Sequence, residues 1–110
     1  MEEITYRATG KVQKVMFRQT LIRLLLKQGM QGGATNQKDG TVVFTVVGTC
    51  QQQECIKNRL ENGKRLNDWN ALPNNIQVLN EFSIPWKDHQ VTTENVDVYK
   101  KWNTNVIMYI

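Results

Sequence analysis

Cysteine, histidine and long apolar runs are all scarce in this chain of 110 residues. The longest unbroken apolar stretch, Val106 to Ile110, has five residues, against the ~20 that a helix needs to cross a bilayer. A transmembrane helix is excluded. Two cysteines, Cys50 and Cys55, are too few for a disulfide framework, and no histidine accompanies them at zinc-ligand spacing. Both are expected to be free thiols at packing or surface positions, since no neighbouring base suggests a lowered pKa. The single His89 is expected to be a solvated surface residue without a functional role. The acidic Met1-Glu2-Glu3 is not followed by an apolar stretch, so no secretory leader is expected and the location predicted is cytoplasmic.

One further absence is local. Between Arg7 and Lys27 there are six bases, Arg7, Lys11, Lys14, Arg18, Arg23 and Lys27, and no acid. The whole chain carries a net charge of +4. Residues 1–65 hold 11 bases and 5 acids, whereas residues 66–110 hold 3 bases and 5 acids, so the surplus lies in the first part. An anionic partner is implied. With 40% hydrophobic and 22% charged residues, the chain can bury a core. Its length suits one compact domain over 1–110.

Hydrophobic periodicity orders the elements. Ile4, Tyr6 and Ala8 alternate with Thr5, Arg7 and Thr9, the pattern of a strand with one buried face, ending at Gly10. From Phe17, the residues Leu21, Leu24 and Leu25 follow at helical spacing, and Gly29 supplies a C-terminal stop. Ala34 to Asn36 and Thr41 to Val47 flank Gln37-Lys38-Asp39-Gly40, whose Asp-Gly pair suits a hairpin turn. Thr49 with Gln52 forms a capping box that opens a second helix, through Ile56 and Leu60 to Gly63, with a thin apolar face. A strand is predicted from Ile76, with Val78, Asn80 and Phe82 on one face, until Pro85. Trp86 to Asn105 reads equally as strand or short helix. Val106 to Ile110 is predicted to be the last strand, central or well covered. This succession describes an α+β, ferredoxin-like α/β sandwich, an antiparallel sheet with two helices on one face and a C-terminal extension.

The segment GKVQKVMFR, residues 10–18, lies between the first strand and the first helix. There a helix N-terminus presents unpaired N–H donors and the positive end of its dipole, so a phosphate can be held. Arg18 adds a planar fork able to grip two phosphate oxygens. Together with GGATNQKDGTV at 32–42, this string resembles the acylphosphatases, whose two signatures read approximately GxVQGVxFR and GxVxNxxDGxV. The distance between the motifs is kept. The resemblance implies hydrolysis of acyl phosphates to a carboxylate and inorganic phosphate, with a phosphate-binding loop at Lys11, Val12, Gln13, Lys14, Val15 and Met16. It also implies phosphoryl binding by Arg18 and a water-positioning role for Asn36. A carboxyl phosphate is an activated mixed anhydride, so charge stabilisation and an aligned nucleophile suffice. No cofactor, metal or covalent intermediate is required, and a monomer is expected.

Three positions depart from the family pattern. Lys14 stands where the family has glycine; if that position needs positive φ, lysine costs ~1–2 kcal/mol, while its ammonium attracts phosphate. Gly33 replaces a bulky residue and Ala34 a valine, so the second strand is expected to lose packing near Asn36. The C-terminal portion is longer than is common. These departures keep a second reading open, a non-catalytic module for phosphate-bearing ligands. A nucleic-acid-binding domain of the same fold is less favoured, because Thr41 to Val47 offers only Phe44 for base stacking. No basic amphipathic helix with a large aromatic face points to a membrane.

Overall fold

The structure is a computed structural model that describes residues 1–98 and 105–110. Its elements are β1 (Glu2–Lys11), α1 (Phe17–Lys27), β2 (Gln31–Asn36), β3 (Val42–Gly48), α2 (Cys50–Glu61), β4 (Leu72–Val78) and β5 (Val91–Thr92), with short 3-10 turns at Trp86–Asp88 and Val96–Val98. All strand pairs are antiparallel, and the order across the sheet is β4-β1-β3-β2-β5. The first four strands with two helices make the ferredoxin-like α+β fold, to which β5 adds an edge.

Backbone bonds close the end of α1, and side chains cap the start of α2. At the end of α1, Gly29 takes φ 71°, and its N–H donates to Leu26 O (3.1 Å) while that of Met30 donates to Leu25 O (2.9 Å). This pair of bonds is a Schellman closure. At the start of α2, Gln52 N donates to Thr49 Oγ1 (3.1 Å) and Thr49 N to Gln52 Oε1 (2.8 Å), completing the expected capping box.

Both helices cover the sheet face formed by Tyr6, Ala8, Ala34, Phe44 and Val46. Phe44 stacks on Tyr6 with centroids 5.0 Å apart and meets Phe17 of α1 edge-on at 6.5 Å. The thin apolar face of α2 is explained by Gln53, buried beside Ile56 and Leu60. Its Oε1 accepts from Tyr6 Oη (2.6 Å) and its Nε2 donates to Val46 O (2.8 Å), so the polar group is satisfied inside the core. Burial, reinforced by the charge of Glu54, pushes the Tyr6 phenol up to about 12.

The opposite face carries Thr5, Thr45, Gly33 and Thr35, and it is not open to solvent. After β4 the chain crosses it as a strap, residues 79–90, before adding β5 beside β2. Ile84 N donates to Thr5 Oγ1 (3.0 Å), Thr45 Oγ1 donates to Ile84 O (2.7 Å), and Trp86 N donates to Glu3 Oε2 (3.0 Å). A side chain at Gly33 would collide with Trp86 O and would place its Cβ 2.7 Å from His89 Cβ. Glycine is therefore required by close approach, and the second strand is not left bare as expected: the strap fills the room.

Four expectations are corrected. His89 is buried at 5% exposure rather than solvated. Its Nε2 lies 2.7 Å from Thr45 Oγ1 and its Nδ1 2.9 Å from Thr35 Oγ1. Strand β4 begins at Leu72, not Ile76, because Pro73 falls opposite Gly10 at an irregularity of an edge strand, where a missing N–H is tolerated. It ends at Val78, leaving Asn80 and Phe82 in the strap, with Phe82 exposed. Val106 to Ile110 is no strand and is not well covered. Met108 makes a single bridge to Asn67, and Ile107 is 59% exposed, because the segment bonds through Ile107 O and Tyr109 N to the irregular loop at Leu66 and Asp68 and not to a strand of the sheet. Of the ambiguous stretch from Trp86 to Asn105, residues 99–104 lie outside the described residues.

Candidate active site

The loop between β1 and α1 has an alternating backbone. Lys14 and Met16 take φ 64° and 57° around Val15, which turns successive N–H groups toward one side and forms an anion-binding concavity. Lys14 thus occupies a left-handed position, as the glycine of the family pattern implied. Its own strain is about 1–2 kcal/mol. The carbonyls of the loop are held on the protein side. Val15 O accepts from Asn67 Nδ2 (2.9 Å), and Met16 O accepts from Thr20 N (3.0 Å) and Thr20 Oγ1 (2.8 Å). Because a peptide unit is planar and trans, the N–H groups of Met16 and Phe17 then point the other way. Among the described residues, the N–H groups of Lys14, Val15 and Met16 donate to no other group of the chain. The remaining expected loop residues sit differently: Lys11 closes β1, Val12 N donates to Gly10 O (3.0 Å), and the Val12 side chain is buried. Gln13 Nε2 donates to Gln37 O (2.7 Å) and Thr41 O (2.8 Å), tying the loop to the β2–β3 turn.

These amides open into a cleft of about 230 Å³ lined by Val12, Lys14, Met16, Phe17, Arg18, Asn36 and Trp69. The volume lies below the ~300–1,000 Å³ typical of pockets for drug-sized ligands, so a small ligand fits. The structure brings together Arg18, on the first turn of α1, and Asn36, the last residue of β2, as the sequence implied. Asn36 Oδ1 is buried and has no hydrogen-bond partner among the described residues. Lys14 and Arg18 supply positive charge, with no carboxylate among the described residues of the cleft wall.

Three contributors escaped sequence reading. Asn67 is fully buried. Besides Val15 O, its Nδ2 reaches Thr20 Oγ1 (2.9 Å), while its Oδ1 accepts from Trp69 N (3.0 Å) and Ala71 N (3.2 Å). An asparagine that accepts from the N–H two residues on is an Asx-turn, and Asn67-Asp68-Trp69-Asn70 carries that composition. Trp69, placed by this turn, forms an aromatic wall of the cleft. Gln90, from the strap, accepts at its Oε1 from Arg18 Nη1 (2.9 Å) and Asn36 N (3.1 Å). Nothing local in sequence signals that contact. Among the described residues there is no group of three or more His, Cys, Asp or Glu that could hold a metal ion, and no helix long and apolar enough to cross a membrane.

The comparisons with known proteins agree with the geometry. An acylphosphatase of Cupriavidus pinatubonensis (strain JMP 134 / LMG 1197) is 35% identical over 63 residues, 57% of this chain and 70% of that protein. The crystal structure of acylphosphatase from Bacillus subtilis superposes with a TM-score of 0.61 at 23% identity, covering 72% of this chain and 83% of that one. The family model for acylphosphatase matches residues 4–78, ending where β4 ends. The chain belongs to the acylphosphatase family.

Proposed function

We propose that the cleft hydrolyses acyl phosphates to a carboxylate and inorganic phosphate. The observation that carries this reading is Asn36 lining the same cleft as Arg18 and the loop amides, with its Oδ1 buried and without a hydrogen-bond partner among the described residues. A buried acceptor without a donor is costly, so turning the side-chain amide to bring this oxygen into the cleft gains a water there, whose lone pair then faces a phosphoryl group seated on the amides. The Lys14 to Phe17 amides and the Arg18 guanidinium neutralise the phosphoryl oxygens as charge redistributes. Water oxygen then bonds to phosphorus while the bond from phosphorus to the acyl oxygen breaks. A carboxylate has a conjugate acid near pKa 4, so it departs without a protein acid, and the water proton leaves with phosphate or solvent. Trp69 covers the apolar side of the cleft, against which the acyl group rests.

Release of inorganic phosphate from acetyl phosphate tests this. Asn36→Ala is expected to lose at least ~100-fold in kcat with phosphate binding kept, and Arg18→Ala a comparable factor in kcat/KM with binding lost. A wild type no faster than buffer overturns the hydrolase and leaves a phosphate-binding module. The nucleic-acid reading finds no stacking platform on the sheet among the described residues: Phe44 is buried under the helices and the other sheet face lies under the strap. We further place the enzyme in the cytoplasm as a monomer. Two exposed, free thiols, Cys50 and Cys55, suit a reducing compartment, and Lys14, Arg18 and Asn36 meet in one cleft within a single chain. Light scattering after gel filtration checks the oligomeric state.

A further inference from the structure

The family match stops at residue 78, yet a side chain beyond it reaches the two groups on which the reaction depends. We propose that Gln90 is a positioning residue for Arg18 and Asn36, contributed by the C-terminal strap; this rests on the hydrolase reading given above. The Gln90 Oε1 accepts from Arg18 Nη1 at 2.9 Å and from the backbone N–H of Asn36 at 3.1 Å. One oxygen therefore links the start of α1 to the end of β2 across the cleft rim. The residue is itself fixed. Its N–H donates to Thr35 Oγ1 (3.0 Å), its carbonyl accepts from Asn95 Nδ2 (3.2 Å), and the pairing of Val91 with Ala34 sets it opposite Thr35.

The chemistry of an amide suits the task. A neutral oxygen accepts from the guanidinium without cancelling its charge, so Arg18 stays attractive to a phosphoryl oxygen. A carboxylate at the same place pairs with the guanidinium as an ion pair and competes with the substrate. Holding a long arginine in one orientation also removes rotamer freedom that substrate binding otherwise has to remove.

Two variants test this. Gln90→Met keeps length and removes the acceptor; Gln90→Glu keeps the acceptor geometry and adds a charge. Calorimetry with inorganic phosphate, acetyl phosphate kinetics and thermal melting are measured on each full-length protein. Gln90→Met is expected to raise Kd for phosphate about fivefold to tenfold and to lower kcat, with Tm within a few degrees of wild type. Gln90→Glu is expected to keep kcat within about threefold while KM and the phosphate Kd rise at least about tenfold. That split between kcat and KM does not follow from a merely structural role. Wild-type affinity and kcat in Gln90→Met overturn the proposal, as does tighter phosphate binding, which makes Gln90 a competitor for Arg18. Wild type that binds phosphate without turnover sinks the hydrolase and leaves the binding arm to judge Gln90. Wild type that does neither overturns both.

Discussion

On its helix side the sheet offers Tyr6, Phe44 and Val46 to Phe17, Leu21 and Ile56, whereas on its strap side Thr5, Thr45 and Thr35 meet His89 and the main chain of Ile84. The first face is held by apolar burial and dispersion, which are strong in sum and carry no preferred bond direction. The second depends on directed bonds that fix position more than they add stability, because each replaces a bond to water. The proton count shows how closely that face is specified. Thr45 donates its hydrogen to Ile84 O, so His89 Nε2 is the donor to Thr45, and a neutral imidazole leaves Nδ1 to accept from Thr35. Thr35 Oγ1 in turn accepts from Gln90 N. Stability thus comes mainly from one face, and placement at the cleft rim from the other.

Substitutions separate the two. Phe44→Ala empties the centre of the apolar face and is expected to remove about 3–5 kcal/mol in denaturant unfolding. A loss under ~1 kcal/mol there dissolves the contrast. The next largest effect is one of pH. Burial holds the His89 imidazole down at about 4, against the opposing pull of Asp88 and Glu3. Its folded value lies below its unfolded one, so the unfolded chain takes up the proton first. Stability from the neutral imidazole is complete above pH ~6.5, falls as pH drops toward 4, and is level below. Up to about 3 kcal/mol is lost across that window. The advantage of wild type over His89→Gln should shrink by that amount between pH 7 and pH 4; a constant difference contradicts a buried neutral histidine. Gly33→Ala intrudes on Trp86 and His89 and is expected to lose about 1–3 kcal/mol, with reduced phosphate affinity as Gln90 shifts. Wild-type affinity in that variant detaches the strap from the site. The smallest effect belongs to the loop: Lys14→Gly relieves the strain at φ 64° and should gain about 1 kcal/mol. Its phosphate Kd rises if the ammonium contributes and is unchanged if only the amides bind.

Legibility followed the same division. The Phe17 to Leu25 stripe, the alternation from Ile4 to Ala8 and the Thr49 capping box are short-range patterns, and each foretold its element. Arg18 and Asn36 were legible because a motif carried them. The strap was not, because its anchors are bonds from main chain or a single histidine to hydroxyls 39 or more residues away, and they leave no periodicity. His89 stands among polar neighbours and reads as surface for that reason. The apolar run Val106 to Ile110 misled in the opposite sense. Strand character needs a strand to pair with as well as suitable side chains, and this segment meets only the irregular loop around Asn67.

The hydroxyls that receive the strap belong to three different strands, Thr5 on β1, Thr35 on β2 and Thr45 on β3. No one of them alone makes a docking place, so the strap can settle only after those strands have paired. An order of assembly is expected from this: the part of the chain that trims the cleft rim arrives last and leaves first. Native-state hydrogen exchange should show the amides of Ile84, Trp86 and Gln90 opening at lower free energy than that of Phe44. On that order the protein loses the Gln90 contacts at the cleft rim while keeping its fold.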